Sequence, residues 1–468
     1  MFEEWHEFIK WILAAHASLW LGALIVLMLL SAMLRERRNP SASAAWLIFM
    51  LVVPYIGVPL YLAFGTRKLR SLTQQKFRLF EGHTSSVTSK QPVQQLLGTL
   101  GVPGPKPASH FRLHPDAHTS HSSLYRLLDD SCHSIDIEIF LLANDASGQE
   151  LINQLTQCVQ RGVHVRVLLD GVGSFLLSKK LLQPMLDNGG KVAWFIPVLH
   201  RPLRGRTNLR NHRKLVLVDR EKLWSGGRNL ADEYLRDEAE TNWYDLSFEC
   251  EGEVVLDYQS LFESDWAFAN KTNPPDSVLL QPKRKKSTTA HQLQILPSGP
   301  DMDEDVLEQT LVSLIRDAQR HIMVITPYFV PSETLQSLLC VCARSGMRVD
   351  LILPQRSNHR IADFVRNRFL RELHNAGVNI QVLPASMLHA KVWVIDDKYA
   401  LIGSANVDLR SLYLNFELMT LLYTQSDVAA VKHWVEERQL NTQPWQIPAP
   451  NVLREILEGL AMLLSFQL

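Results

Sequence analysis

Apolar residues are spread unevenly along this chain, and the unevenness defines its parts. From Trp11 to Met33 the sequence is almost wholly apolar (WILAAHASLWLGALIVLMLLSAM), long enough at helical rise to cross a hydrocarbon layer, which predicts a transmembrane helix. A second apolar stretch, 44–64, is interrupted by Pro54, Gly57 and Pro59 and reads as a kinked span or a re-entrant hairpin. Glu3, Glu4 and Glu7, not basic residues, precede the first stretch and no small-residue cleavage site follows it, which favours a retained anchor over a signal peptide. Arg35, Arg37 and Arg38 lie between the stretches, and Arg67, Lys68, Arg70, Lys76 and Arg78 follow the second. Basic residues thus flank both ends; their larger number on the C-terminal side favours a cytoplasmic location for the remainder.

Beyond residue 70 the pattern changes. The segment 71–110 is largely polar, rich in Ser, Gln, Gly and Pro and without a sustained period, and is expected to be a linker. From 111 onward, apolar β-rich runs such as IDIEIFLL (135–142), VHVRVLLD (163–170) and KVAWFIP (191–197) alternate with helical stretches such as 148–161, predicting an α/β fold. Pro274, Pro275, Pro282 and the run KRKK (283–286) mark a connection over 271–292. It separates a first unit, 111–270, from a second, 293–450. The tail 451–468 carries Leu453, Ile456, Leu457, Leu460, Leu464 and Phe466 at helical spacing and is expected to be a helix lying on a membrane or on the core.

The two units repeat one another. HRKLVLVD (212–219) recurs as HAKVWVID (389–396), each followed at the same spacing by Gly226, Gly227 and Asn229 or Gly403, Ser404 and Asn406. RGVHVRVLLD (161–170) parallels SGMRVDLILP (345–354), and SIDIEIF (134–140) parallels HIMVITPYF (321–329). Two copies of one α/β unit are therefore present. A lone H-x-K on a strand is common and often only a polar face. Here the same polar types recur in both copies while the apolar positions between them drift, and a purely structural duplication leaves that unexplained.

Positions two apart on a strand share a face, so His212 points with Lys214 and His389 with Lys391. Packed about a pseudo-two-fold axis, the pairs converge on one site, with Asn229 and Asn406 as amide donors and backbone N–H groups at Gly227 and Ser404 as further donors to a phosphate. Asp219 and Asp396 complete the motif but stand at odd spacing from their histidines, so they are read as bracing acids off the active face. Asp245 and Glu417 are the carboxylates expected to orient the imidazoles. Two histidines allow a double displacement through a phosphohistidine; whether water or an alcohol ends it stays open.

Composition then narrows the partners. Lys+Arg and Asp+Glu number 48 each, so no broad basic field exists to hold a nucleic acid. The five cysteines are odd in number and scattered, which fits a reduced compartment. Cys340 and Cys342 lack a second ligand pair, so neither metal nor other cofactor is expected.

The paired H-x-K-x4-D motifs with their G-[GS]-x-N turns resemble the phospholipase D superfamily. RERRNPSASAAWLIFMLVVPYIGVPLYLAFGTRK (35–68) and the tail LREILEGLAMLLSF (453–466) are similar to the membrane regions of the bacterial cardiolipin synthases within it. That resemblance implies two pseudo-symmetric α/β sandwich units behind two transmembrane segments in a multi-pass protein of the bacterial cytoplasmic membrane. It also implies phospholipid substrates, with a phosphatidyl group passing between phosphatidylglycerol molecules to give cardiolipin and glycerol. His212 would be the nucleophile and His389 the general acid, an order the symmetry of the motifs leaves open. The loop RPLRGRTNLRN (201–211) is more basic than the family pattern, and Leu209 and Arg210 depart from it, which bears on the choice of acceptor and not on the chemistry. A phospholipase D, a transferase to another alcohol and, less favoured, a nuclease remain as alternatives.

Overall fold

The computed structural model describes residues 40–64, 91–197, 209–236, 243–273, 291–302, 304–446 and 451–462, with a few isolated positions, Lys76 among them. The chain divides into two bodies, Met1–Leu69 with Leu199–Asn208, and Arg70–Val198 with Leu209–Leu468.

In the first body, helices α1 (Pro40–Val52) and α2 (Pro54–Phe64) are broken at Val53, because a proline disfavours helical geometry in the residue before it while suiting the first turn of a new helix. The two helices fold back on each other. Met50 and Tyr61 are buried against Trp46 and Val58, and a Cβ on Gly57 would stand 2.9 Å from the Met50 Cα, so only glycine permits the close approach. Ile48, Leu51, Val52, Tyr55 and Ile56 face outward. Thirteen and eleven residues reach only about 20 and 17 Å, short of the roughly 30 Å hydrocarbon core. The stretch 44–64 is thus a helical hairpin and not one span, and among the described residues no helix is long and apolar enough to cross a membrane. The expected span 11–33 lies almost wholly outside the described residues.

The second body is built on a single sheet of fifteen strands. The first half supplies β1 (Lys106–His114), β2 (Ser134–Ile139), β3 (His164–Asp170), β4 (Lys191–Phe195), β5 (Leu215–Val218), β6 (Lys222–Gly226) and β7 (Ser247–Gly252). The second half supplies β8 (His291–Ser298), β9 (His321–Ile325), β10 (Phe329–Val330), β11 (Arg348–Pro354), β12 (Asn379–Leu383), β13 (Val392–Ile395), β14 (Tyr399–Gly403), β15 (Val407–Asp408), β16 (Glu417–Leu422) and β17 (Gln443–Pro444). Their order is β17-β12-β11-β9-β13-β14-β16-β8-β1-β7-β6-β5-β2-β3-β4, with β10 and β15 apart. Apart from β17 at the edge, this order reads the same outward from the central β8–β1 pair. The two α/β units are therefore fused edge to edge, through antiparallel pairing of Lys106 with Leu293 and Ala108 with His291.

Strands β5 and β13 are buried along their whole length, as apolar runs in a sheet covered on both faces must be. In the first half, the helices Ala117–Asp129, Ala146–Gln160 and Lys179–Asp187 cover one face through Leu124, Leu151, Ile152, Leu155 and Met185. The helix Val255–Asn270 packs against β4 to β7. Asp116, Asp145 and Ser332 cap their helices by accepting from backbone amides, supplying partners the first turn lacks.

One segment differs from expectation. The region 71–110 holds the helix Pro92–Thr99 and the start of β1, and Lys76 within it is buried; polar composition concealed an ordered structure. The tail helix Val452–Met462 meets the helix Arg360–Ala376 through charge: Glu458 is ion-paired with Arg371, and within its own helix with Arg454, while Val452, Leu453, Ile456 and Leu457 remain exposed. The connection at 274–290 lies outside the described residues.

Candidate active site

The extended segments before β5 and β13 carry the two motifs, and each is hydrogen-bonded to the opposite half of the sheet. Phe416 N–H donates to the Arg210 carbonyl and His212 N–H to the Phe416 carbonyl, both at 2.8 Å; Tyr244 and Met387 are joined the same way at 2.8 Å, and His389 to Tyr244 at 2.7 Å. The residues that follow Phe416 and Tyr244 are Glu417 and Asp245. The carboxylates are consequently exchanged between halves. Glu417 lies 2.9 Å from His212 Nδ1 and Asp245 2.6 Å from His389 Nδ1. A carboxylate on Nδ1 fixes the tautomer and leaves Nε2 as the reacting atom.

The remaining motif residues fall into two groups. Lys214 and Lys391 are fully buried beside their histidines: Lys214 Nζ donates to the His212 carbonyl at 2.8 Å, and Lys391 Nζ lies 2.8 and 3.1 Å from the His389 ring nitrogens. Asn229 and Asn406 are buried, and their side-chain oxygens have no hydrogen-bond partner among the described residues. Asp219 and Asp396, in contrast, do not enter the site. Each sits in the turn after its strand with φ near 55° and accepts three backbone amides, from Cys132, His133 and Ser134 or from Gln319, Arg320 and His321. They tie β5 to the start of β2, and β13 to the start of β9.

Gly227 and Ser404 also differ from expectation, because their amides are already spent on the carbonyls of Leu246 and Leu418. They serve the carboxylates instead. A Cβ on Gly227 would fall 2.1 Å from Asp245 Oδ1, so glycine makes room for the shorter acid, whereas the Ser404 hydroxyl donates to Glu417 at 2.5 Å.

Burial governs the electrostatics. It pushes His212 down to about 4 and His389 to about 3 against the pull of their carboxylates. It also lowers Lys214 to about 7, helped by Lys391, and Lys391 to about 8. Burial alone would raise Asp245, yet Lys391 and His389 hold it at about 2; Glu417 is lowered likewise by His212 and Lys214. Two ionised carboxylates thus stand among four basic groups whose charged forms burial disfavours, and an anion placed beside those groups would favour their charged forms.

Sequence reasoning missed several neighbours. Phe140 stands edge-on to His212 at 4.9 Å, and Tyr234 and Trp243 pack on His389 at 5.0 and 5.3 Å. The Arg410 guanidinium donates to Asn415 Oδ1 at 3.4 Å, and Asn415 donates to Glu417 at 3.2 Å. Burial lowers Arg410, which also feels the charges of Asp408, Arg210, Asp170 and Glu417. Behind His212, Arg213 is buried against Asp265 at 2.6 Å and Asp301 at 3.0 Å, and Lys76 ion-pairs with the same two acids. Glu138 beside them is pushed well above the carboxylate range by burial and by Asp265. Nothing in the residue pattern signalled Lys76, since its partners lie far away in sequence.

A family model described as "Cardiolipin synthase, PLD-like domain" matches residues 124–266 and 311–438, the two halves of the sheet. The chain belongs to that family. A model described as "Phospholipase_D-nuclease N-terminal" matches 18–65. A cardiolipin synthase of Geobacillus sp. (strain WCH70) is 32% identical over 419 residues, covering 86% of this chain and 84% of its own. Cardiolipin synthase 1 of Bacillus anthracis is 31% identical over 456 residues, covering 92% and 90%. The crystal structure of phosphatidylserine synthase from Haemophilus influenzae Rd KW20 aligns with a TM-score of 0.62 at 16% identity, covering 80% of this chain and all of that one, and shares the fold. Family membership thus rests on the same duplicated units that bring His212 and His389 together.

Proposed function

We propose that the chain is a phosphatidyltransferase that makes cardiolipin and glycerol from two phosphatidylglycerol molecules. The observation that carries this reading is the exchanged pairing of His212 with Glu417 and His389 with Asp245 around buried Lys214 and Lys391; the relatives named as cardiolipin synthases supply the substrate class. Buried lysines lowered toward neutrality, with the carboxamides of Asn229 and Asn406 buried beside them, are consistent with a site that takes a phosphodiester.

The reaction follows from the two imidazoles. Nε2 of one histidine attacks phosphorus as the bond to glycerol breaks, and the departing oxygen takes a proton from the other. The hydroxyl of a second phosphatidylglycerol then gives its proton to that second histidine while its oxygen attacks phosphorus, breaking the P–N bond. Lys214, Lys391, Asn229 and Asn406 hold the non-bridging oxygens as charge develops. Asp245 and Glu417 stabilise each imidazolium in turn. The apolar stretch 11–33 and the outward-facing apolar side chains of the α1–α2 hairpin support a location in the cytoplasmic membrane.

Vesicles containing phosphatidylglycerol test the reading: cardiolipin and glycerol are expected in equal amounts with little phosphatidic acid, because a site facing headgroups excludes bulk water. Dominant phosphatidic acid at high phosphatidylglycerol would make the enzyme a hydrolase.

A further inference from the structure

The turn between β3 and the helix Lys179–Asp187 presents large apolar side chains to solvent from a rigid frame. Val172, Phe175 and Leu176 are 40%, 64% and 85% exposed, although nothing about the turn is loose. Asp170 Oδ1 accepts the Val172 and Gly173 amides at 2.9 Å, and its other oxygen accepts the Asn211 amide at 2.8 Å. Ser174 Oγ donates to the Phe140 carbonyl at 3.1 Å and accepts the Leu142 amide at 3.0 Å. A Cβ on Gly173 would stand 2.2 Å from the Phe140 carbonyl oxygen, so the turn is pressed onto the residue whose ring meets His212 edge-on. A soluble protein has no evident use for two adjacent large apolar side chains held in water on a braced turn.

The charge around the turn identifies the partner. Lys179 and Lys180 follow it and are exposed, and no Asp or Glu occurs from 171 to 186. Apolar tips followed by cations are the chemistry of an anionic lipid surface, where the tips enter the acyl boundary and the ammonium groups meet headgroups. Because Asp170 and Ser174 already fix the turn, insertion costs little ordering.

We propose that Val172, Phe175 and Leu176 form a wedge that enters an anionic phospholipid surface and sets the His212 wall of the site against the bilayer. The proposal rests on the lipid-transferase reading for its purpose, but not for its test. In the full-length protein in phosphatidylglycerol vesicles, a nitroxide is attached at Leu176→Cys and, as a control, at Arg220→Cys in the turn after β5. Both are made in Cys132→Ser, which removes an exposed thiol. The label at 176 is expected to meet oxygen more readily than a water-soluble nickel chelate, with the reverse at 220. Equal exposure of both labels to the chelate overturns the wedge, whether or not the protein makes cardiolipin. The double substitution Phe175→Ser/Leu176→Ser supplies the second arm. Turnover of phosphatidylglycerol in vesicles is expected to fall about 10- to 100-fold while turnover of a short-chain phosphatidylglycerol dispersed as monomers is unchanged. An equal loss on both substrates assigns the turn to the site's own stability and overturns the proposal.

Discussion

The two halves of the sheet agree on the face that holds the histidines and disagree behind it. In front, each half offers His, Lys and Asn at matched positions and lends its carboxylate to the other. Behind His212 lies a buried ionic cluster of Arg213, Asp265, Asp301, Lys76 and Glu138. At the matching places in the second half stand Ala390, between His389 and Lys391, and Ile325, which pairs with Val392 as Glu138 pairs with Leu215. The flanks differ too: Arg210 corresponds to Met387 by its hydrogen bond, and Arg410 to Glu233 by its distance from the motif asparagine. Chemistry requiring two equivalent groups held the front fixed, while any packing that supports a strand was acceptable behind.

The comparison breaks most completely at the shared front. Either His212→Ala or His389→Ala is expected to abolish cardiolipin formation, and Glu417→Gln or Asp245→Asn to lower kcat about a thousandfold or more, since a misoriented imidazole loses most of its catalytic value. Membrane insertion and the folded far-UV spectrum should persist. Activity in either histidine variant within tenfold of wild type would show that the halves do not share one site.

A smaller effect tests the unlike backs. Lys76→Met leaves two buried aspartates facing Arg213 alone, and breaking such a pair costs about 3–5 kcal/mol. A lower denaturant midpoint is expected, with partial recovery in Lys76→Met/Asp301→Asn, which removes the surplus negative charge. Ala390→Ser, behind the other motif, should shift it far less. If Lys76→Met matches wild type, the cluster is not what supports β5.

The flanks differ by a further, modest amount. The reaction joins two phosphodiesters; Arg210 and Arg410 both feel the charge of Asp170, and Arg410 that of Glu417 as well, and a second anionic headgroup is expected to be steadied by them. Arg410→Ala is expected to raise KM for phosphatidylglycerol about tenfold, in keeping with the loss of one charge-assisted hydrogen bond, with kcat little changed. A fall in kcat at constant KM would instead assign Arg410 to holding Glu417 through Asn415.

The smallest effect concerns stability at the front itself. Lys214 is lowered to about 7, chiefly by burial, from a value near 10.4 in an unfolded chain. The unfolded state therefore binds more protons between those values, and the lysine weakens the fold increasingly as pH drops from 10 toward 7. Lys214→Met should raise Tm by a few degrees at pH 7 while abolishing activity, and the gain should vanish near pH 10. A variant less stable than wild type at pH 7 would contradict the origin given for the shift.

Much of this arrangement was legible before any coordinates, because a duplication writes itself twice. HRKLVLVD and HAKVWVID announced the paired strands, and the alternation around them announced an α/β sheet. The exchange of Asp245 and Glu417 was not legible, since strand order is decided by pairing between residues far apart. Nor was the commitment of the Gly227 and Ser404 amides to the sheet, which follows from where β7 and β16 lie. Lys76 was hidden by its polar surroundings, and Arg213 by its position inside a motif whose neighbours drew attention to the other face. The hairpin of α1 and α2 was legible only as a choice between a bend and a reversal, which the close approach at Gly57 decides.

The exchanged carboxylates also bear on how the protein is made. A ribosome releases the first half well before the second, and domains fold in that order as they emerge. His212 and Lys214 are then in place, but Glu417 lies 205 residues further along and has not been translated. The partner histidine is missing as well. A nascent chain already touching lipid thus has no competent centre with which to cleave it, and the enzyme is armed only when the last strands close onto the first.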